Sequence, residues 1–85
     1  MYYVYIIKSK KNDKLYIGYT NDLKRRFQEH NEGKSTYTKK FTPWTLMCYE
    51  AYLSSEDARE RERQLKHHGK AWSQLKRKIN HSVKN

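Results

Sequence analysis

Residues 2–8, Tyr-Tyr-Val-Tyr-Ile-Ile-Lys, are almost all β-branched or aromatic, and no other stretch limits the fold as tightly. Such side chains lose rotamer freedom in a helix and pack well on a pleated surface, so the run predicts a strand buried on both faces. Ser9-Lys10-Lys11-Asn12-Asp13 reads as a polar turn, and residues 14–20, Lys-Leu-Tyr-Ile-Gly-Tyr-Thr, alternate as a second strand. The two form a hairpin. With Lys8 opposite Asp13, Tyr5 would fall opposite Tyr16, and both rings would project from one face.

Asn21 or Asp22 can cap a helix running to about Asn31, with Gly33 just past its end. Leu23, Phe27 and His30 recur at helical spacing with Arg26 beside them, whereas Arg25 precedes Glu29 by four residues and suits an exposed ion pair. From Glu32 to Pro43 the chain is basic and rich in hydroxyls, a long loop of the kind that carries function. Trp44–Leu53 follows as a third strand of mixed alternation. Ser54-x-x-Asp57 resembles a capping box and opens a helix to about Lys66. Within it Ala58, Glu62 and Leu65 lie at i, i+4 and i+7, so a carboxylate interrupts the apolar stripe. That placement costs desolvation energy unless something compensates it, and a metal ion, Arg26, Arg59 or Lys66 could do so. A last helix over 70–79 packs through Trp72, Leu75 and Ile79. The expected architecture is α+β: a small three-stranded antiparallel sheet, built from a β-hairpin, a helix and a third strand, flanked by three helices. One domain over residues 1–80 and a frayed tail over 81–85 complete the expectation.

Charge limits the partners. Nineteen Lys/Arg against nine Asp/Glu leave a formal charge of +10 on 85 residues, a balance that attracts polyanions. Nucleic acid is the expected partner, DNA ahead of RNA. A membrane surface is not, because no basic amphipathic helix carries a Trp/Leu face. The charge is uneven: +3 over residues 1–21, +3 over 22–43, −1 over 44–66 and +5 over 67–85. Acidic density thus gathers around Glu62 within a basic surround. Arg25, Lys34, Lys39, Lys40, Lys76 and Lys78 are the candidate phosphate contacts. A lone Cys48 excludes an internal disulfide, and no Cys/His spacing fits structural zinc. Without a basic leader or a long apolar run, the expected compartment is the cytoplasm.

Tyr3-Val4-Tyr5, followed after ten residues by Tyr16-Ile17-Gly18, resembles the paired strand motifs of the GIY-YIG nuclease family. Asn21-Asp22-Leu23-Lys24-Arg25-Arg26-Phe27 extends the likeness, with Arg26 in the place of the family's essential arginine. His30 matches a histidine that many members carry, and Glu62, in Glu62-Arg63-Gln64-Leu65-Lys66, takes the place of the metal-binding glutamate. The resemblance spans residues 2–66 and points to the small stand-alone bacterial members. Tyr3 departs from the first glycine of the name motif. No separate DNA-recognition domain is expected to follow, so a partner protein could supply targeting.

The resemblance implies a divalent-metal-dependent endonuclease that hydrolyses phosphodiester bonds in DNA, structured or damaged DNA among the candidates. Glu62 would hold one Mg²⁺ or Mn²⁺, and Arg26 would grip the phosphate bidentately. Tyr5, partnered by Tyr16, is the candidate general base or water-orienting group, with His30 a competing base whose ordinary pKa suits the task better. Gly18 would permit close approach. Taken singly, the tyrosines could be sheet aromatics, Arg26 a solvated charge and His30 a core-edge residue. A nucleic-acid-binding module without turnover is the alternative. Other signals fail on inspection. Gly33-Lys34-Ser35 lacks the first glycine of a phosphate loop, His67 and His68 are adjacent and expected on different sides of a helix, and Cys48 reads as an inert core thiol.

Overall fold

The computed structural model describes residues 1–79; the expected frayed tail over 81–85 lies outside them. Strands β1 (Tyr2–Ser9), β2 (Leu15–Thr20) and β3 (Trp44–Tyr52) form one antiparallel sheet in the order β2-β1-β3. The central position of β1 explains its apolar run, since both faces and both edges are covered. Helix α1 (Leu23–Asn31) joins β2 to the segment before β3, while α2 (Ser55–Lys66) and α3 (Lys70–Lys78) follow the sheet.

The pleat divides the core in two. Val4, Ile6 and Ile17 pack with Ala58 and Leu65 of α2 and with Leu75 and Ile79 at α3. Tyr5, Ile7 and Trp44 pack on the other face with Tyr16, Leu23, Phe27 and Phe41. Cap residues act as read: Asp22 accepts from the Arg25 amide at 3.1 Å and Ser54 from that of Asp57 at 3.3 Å. Gly33, at φ 76°, occupies the left-handed position just beyond α1.

Three expectations need correction. The hairpin register is offset by two residues, because the turn is longer than a Lys8–Asp13 closure allows. The Ser9 amide donates to the Lys14 carbonyl at 2.9 Å, and Asp13 turns at φ 63°. Lys8 therefore faces Leu15, Tyr16 faces Ile7, and Tyr5 faces Gly18. An even offset leaves every side chain on its expected face, so Tyr5 and Tyr16 still share one. The segment from Glu32 to Pro43 is not wholly loop, since Thr38–Phe41 forms a 3₁₀ turn, here η1. Finally, His67 and His68 lie past the end of α2 rather than on a helix. His67 is its cap residue, and His68, at φ 57°, sets its ring edge-on to Trp72.

The mixed alternation of β3 has a local cause. Ile6 pairs with Cys48 and Ile7 with Leu46, leaving Met47 as the extra residue of a bulge. Met47 and Cys48 consequently both pack on the α2/α3 side.

Candidate active site

Gly18 lets the site form. The Tyr5 ring lies directly over it, and a Cβ at this position would stand 2.3 Å from both Tyr5 Cζ and Oη. Only a glycine accommodates that approach. The ring reaches across β2 toward α1, where its hydroxyl meets His30 Nε2 at 2.7 Å. His30 Nδ1 in turn meets Thr38 Oγ1 at 2.7 Å. Tyr5, His30 and Thr38 are each no more than 1% exposed, so the three make one buried polar chain whose members satisfy one another. Thr38 is held in place from its carbonyl, which accepts from Trp44 Nε1 at 2.9 Å. Trp44 is clamped by Asn31 through a pair of bonds at 2.6 and 3.1 Å.

Tyr16 packs against this chain, its ring edge-on to His30 at 5.3 Å and stacked with Tyr37 at 6.0 Å. Arg26 borders it from α1, with Nη1 on Glu29 Oε1 at 3.1 Å and a side chain 30% exposed. Partial burial works against the Arg26 charge, but the hydrogen bond to Glu29 and the nearness of Tyr5 and Tyr16 raise its pKa above the ordinary arginine value. The outward-facing layer is therefore Tyr16, Arg26 and Tyr37, with Tyr5 and His30 beneath.

Burial sets the protonation states. It pushes the Tyr5 phenol up to about 12, with Tyr16 and Glu62 adding to the rise and Arg26 opposing it. Burial, then Arg26, brings His30 down to about 4 against the weaker pull of Glu29. Near neutrality the pair is thus a neutral phenol bonded to a neutral imidazole.

Glu62 lies on α2 between Ala58 and Leu65, both fully buried, and its side chain is 22% exposed. The stripe is interrupted as expected. Of the side chains expected to compensate it, Lys66 makes the contact, at 3.1 Å. Arg59 instead covers the Tyr19 ring at 4.5 Å. Glu62 is close enough to Tyr5 to raise its pKa. Its neighbour Arg61 anchors α2 to β3 through two bonds to Glu50, at 2.9 and 3.2 Å, and Tyr52 donates to the same carboxylate at 2.7 Å. No group of three or more His, Cys, Asp or Glu residues suited to a metal occurs among the described residues.

The candidate phosphate contacts do not form one patch. Lys39 and Lys40 sit on η1, on the Tyr5 side of the sheet, whereas Lys76 and Lys78 belong to α3 on the opposite side. Arg25 is engaged by Asp22 and Glu29, and Lys34 by Glu32 at 3.2 Å. Burial raises the Cys48 thiol pKa, as suits a core residue. Thr38 is the site residue that sequence reasoning missed. Its signal was its place in a hydroxyl-rich segment, shared there with Ser35, Thr36 and Tyr37.

A family model described as the GIY-YIG catalytic domain matches residues 1–80. The chain belongs to the GIY-YIG family. This GIY-YIG chain is similar to a UPF0213 protein of Staphylococcus haemolyticus, 42% identical over 66 residues, which cover 76% of this chain and 79% of that one. A UPF0213 protein of Bacillus pumilus is 33% identical over 79 residues, covering 92% and 76%. The solution NMR structure of a UPF0213 protein from Bacillus halodurans is similar at 35% identity and a TM-score of 0.54, covering 88% of this chain and 81% of that one. A GIY-YIG domain places the chain in a nuclease family whose substrate is nucleic acid and whose members generally use a divalent metal. No helix among the described residues is long and apolar enough to cross a membrane.

Proposed function

We propose that this chain is a divalent-metal-dependent DNA endonuclease. The observation carrying the reading is the joining of Tyr5, Tyr16, Arg26 and His30 into one contiguous constellation with Glu62 in electrostatic reach. Arg26 binds and orients the scissile phosphate, since its guanidinium is partly exposed and borders the Tyr5 hydroxyl. Glu62 suits Mg²⁺ or Mn²⁺: it is a partly exposed carboxylate whose ion pair with Lys66 is exchangeable. A single carboxylate with water in the remaining positions is an ordinary magnesium arrangement. When bound, the ion supplies charge neutralisation at the phosphate and stabilises the leaving oxygen.

Proton movement falls to the Tyr5–His30 pair. At a phenol pKa of about 12, a free tyrosinate is too rare to act near neutrality. Tyr5 Oη therefore accepts the proton of the attacking water as it passes its own to His30 Nε2, 2.7 Å away. In this reading the Thr38 hydroxyl, 2.7 Å from Nδ1, accepts from it and leaves Nε2 to take the proton. Burial is the main cause of the low His30 pKa and Arg26 the second; an anionic phosphate on Arg26 offsets that second contribution and so strengthens the acceptor.

Cleavage of a panel of single-stranded, duplex, nicked and branched DNAs, with Mg²⁺ or Mn²⁺ against EDTA, tests the reading. Metal-dependent cutting lost in Glu62→Ala is expected. A Glu62→Ala protein that cuts as well as wild type would overturn it. Salt-sensitive binding with no turnover under either metal would favour the binding-module alternative.

A further inference from the structure

Aromatic rings continue outward from the site. His30 meets Tyr16 at 5.3 Å, Tyr16 stacks with Tyr37 at 6.0 Å and 30°, and Tyr37 meets the edge of Phe41 at 5.6 Å. Tyr37 ends this series on the solvent side and is 54% exposed. Its surroundings are cationic: Lys14 Nζ lies 5.0 Å from the Phe41 centroid, and Lys39 and Lys40 follow Tyr37 on η1. An exposed ring backed by a second ring and flanked by lysines is the arrangement that holds a base by its π-face and its strand by the phosphates.

We infer that Tyr37 is a stacking platform for an unpaired base of single-stranded DNA, joined through Tyr16 to the phosphate site at Arg26. Within a duplex each base is stacked on both sides and offers only its edges in the grooves. Tyr37 therefore finds its partner only where the strand is unpaired. Duplex DNA can still reach the lysines, but it leaves the ring uncovered. The inference rests on the nuclease reading for the position of the phosphate.

The test is fluorescence anisotropy with an end-labelled 12-mer as single-stranded DNA, as its duplex and as single-stranded RNA, in EDTA so that binding is separate from cutting. Because Tyr37 is exposed, Tyr37→Ala should melt within a few degrees of wild type. It should bind the single DNA strand roughly 5- to 100-fold more weakly, with Tyr37→Phe restoring affinity and the duplex changed less than twofold. Equal losses on single strand and duplex, or none on either, would overturn the platform. Tighter Tyr37-dependent binding of the RNA would overturn the assignment to DNA. The cleavage panel is a separate readout: failure to cut with metal sinks the nuclease reading, and an unchanged Tyr37→Ala sinks only the platform.

Discussion

Gly18→Ala compresses the structural argument into one methyl group. The added Cβ would stand 2.3 Å from Tyr5 Cζ and Oη and 2.8 Å from Cε1, against an ordinary carbon contact of about 3.5–4.0 Å. The ring must retreat by more than about 1 Å, yet Tyr5 is 1% exposed and its hydroxyl is tied to a fully buried His30. Overpacking of this kind costs about 1–3 kcal/mol, and the strained or lost hydrogen bond adds about 1 kcal/mol. In a domain of this size, each kcal/mol corresponds to about 4–8 °C in Tm. Thermal unfolding by circular dichroism should therefore show a fall of roughly 10–25 °C. Cleavage measured well below the new Tm should drop about 100-fold, since a displacement near 1 Å is enough for that. A Gly18→Ala protein that melts within 2 °C of wild type and cuts normally would refute the claim that the Tyr5 ring lies on Gly18.

The remaining predictions concern the proton chain and its supports. His30 titrates near 4 when folded and near 6.5 when unfolded, so the unfolded chain binds more protons between those values. Stability is then full above about pH 6.5 and is lost as pH falls toward 4, by on the order of 3 kcal/mol; urea melts across that range should show the decline, and His30→Gln should flatten it. Thr38→Val preserves shape but leaves His30 Nδ1 buried without a partner, costing about 1–3 kcal/mol. Nitrogen chemical shifts of the ring should report a mixed tautomer, and an unaltered tautomer would show that Thr38 does not set it. Arg61→Leu removes the α2–β3 anchor beside Glu62 and should cost about 1–2 kcal/mol in denaturant unfolding; no change would mean that the Glu50 contact is surface decoration.

The parts of this site legible in the sequence are those fixed by periodicity. Strand alternation put Tyr5 and Tyr16 on one face, and helical spacing put Glu62 between Ala58 and Leu65. Both survived because a period does not depend on where a turn closes. Register does depend on it. The offset that brings Gly18 beneath Tyr5 follows from the Ser9–Lys14 closure, which composition does not encode. Thr38 was hidden for a similar reason. Its role requires that η1 fold back on α1, a tertiary event anchored by Asn31 and Trp44 thirteen residues apart. The Lys66 contact to Glu62 was among the alternatives, but the residues alone offered no ground for choosing it over Arg26 or Arg59.

The most direct test of the central claim is a double-mutant cycle on single-turnover DNA cleavage, comparing wild type, Arg26→Ala, Glu62→Ala and the double variant in Mn²⁺. Residues that act as one unit give strongly non-additive losses. Each single variant should lose at least about 100-fold, and the double should fall only a few-fold below the weaker single. Single variants that cut like wild type, or losses that simply multiply in the double, would contradict a shared site.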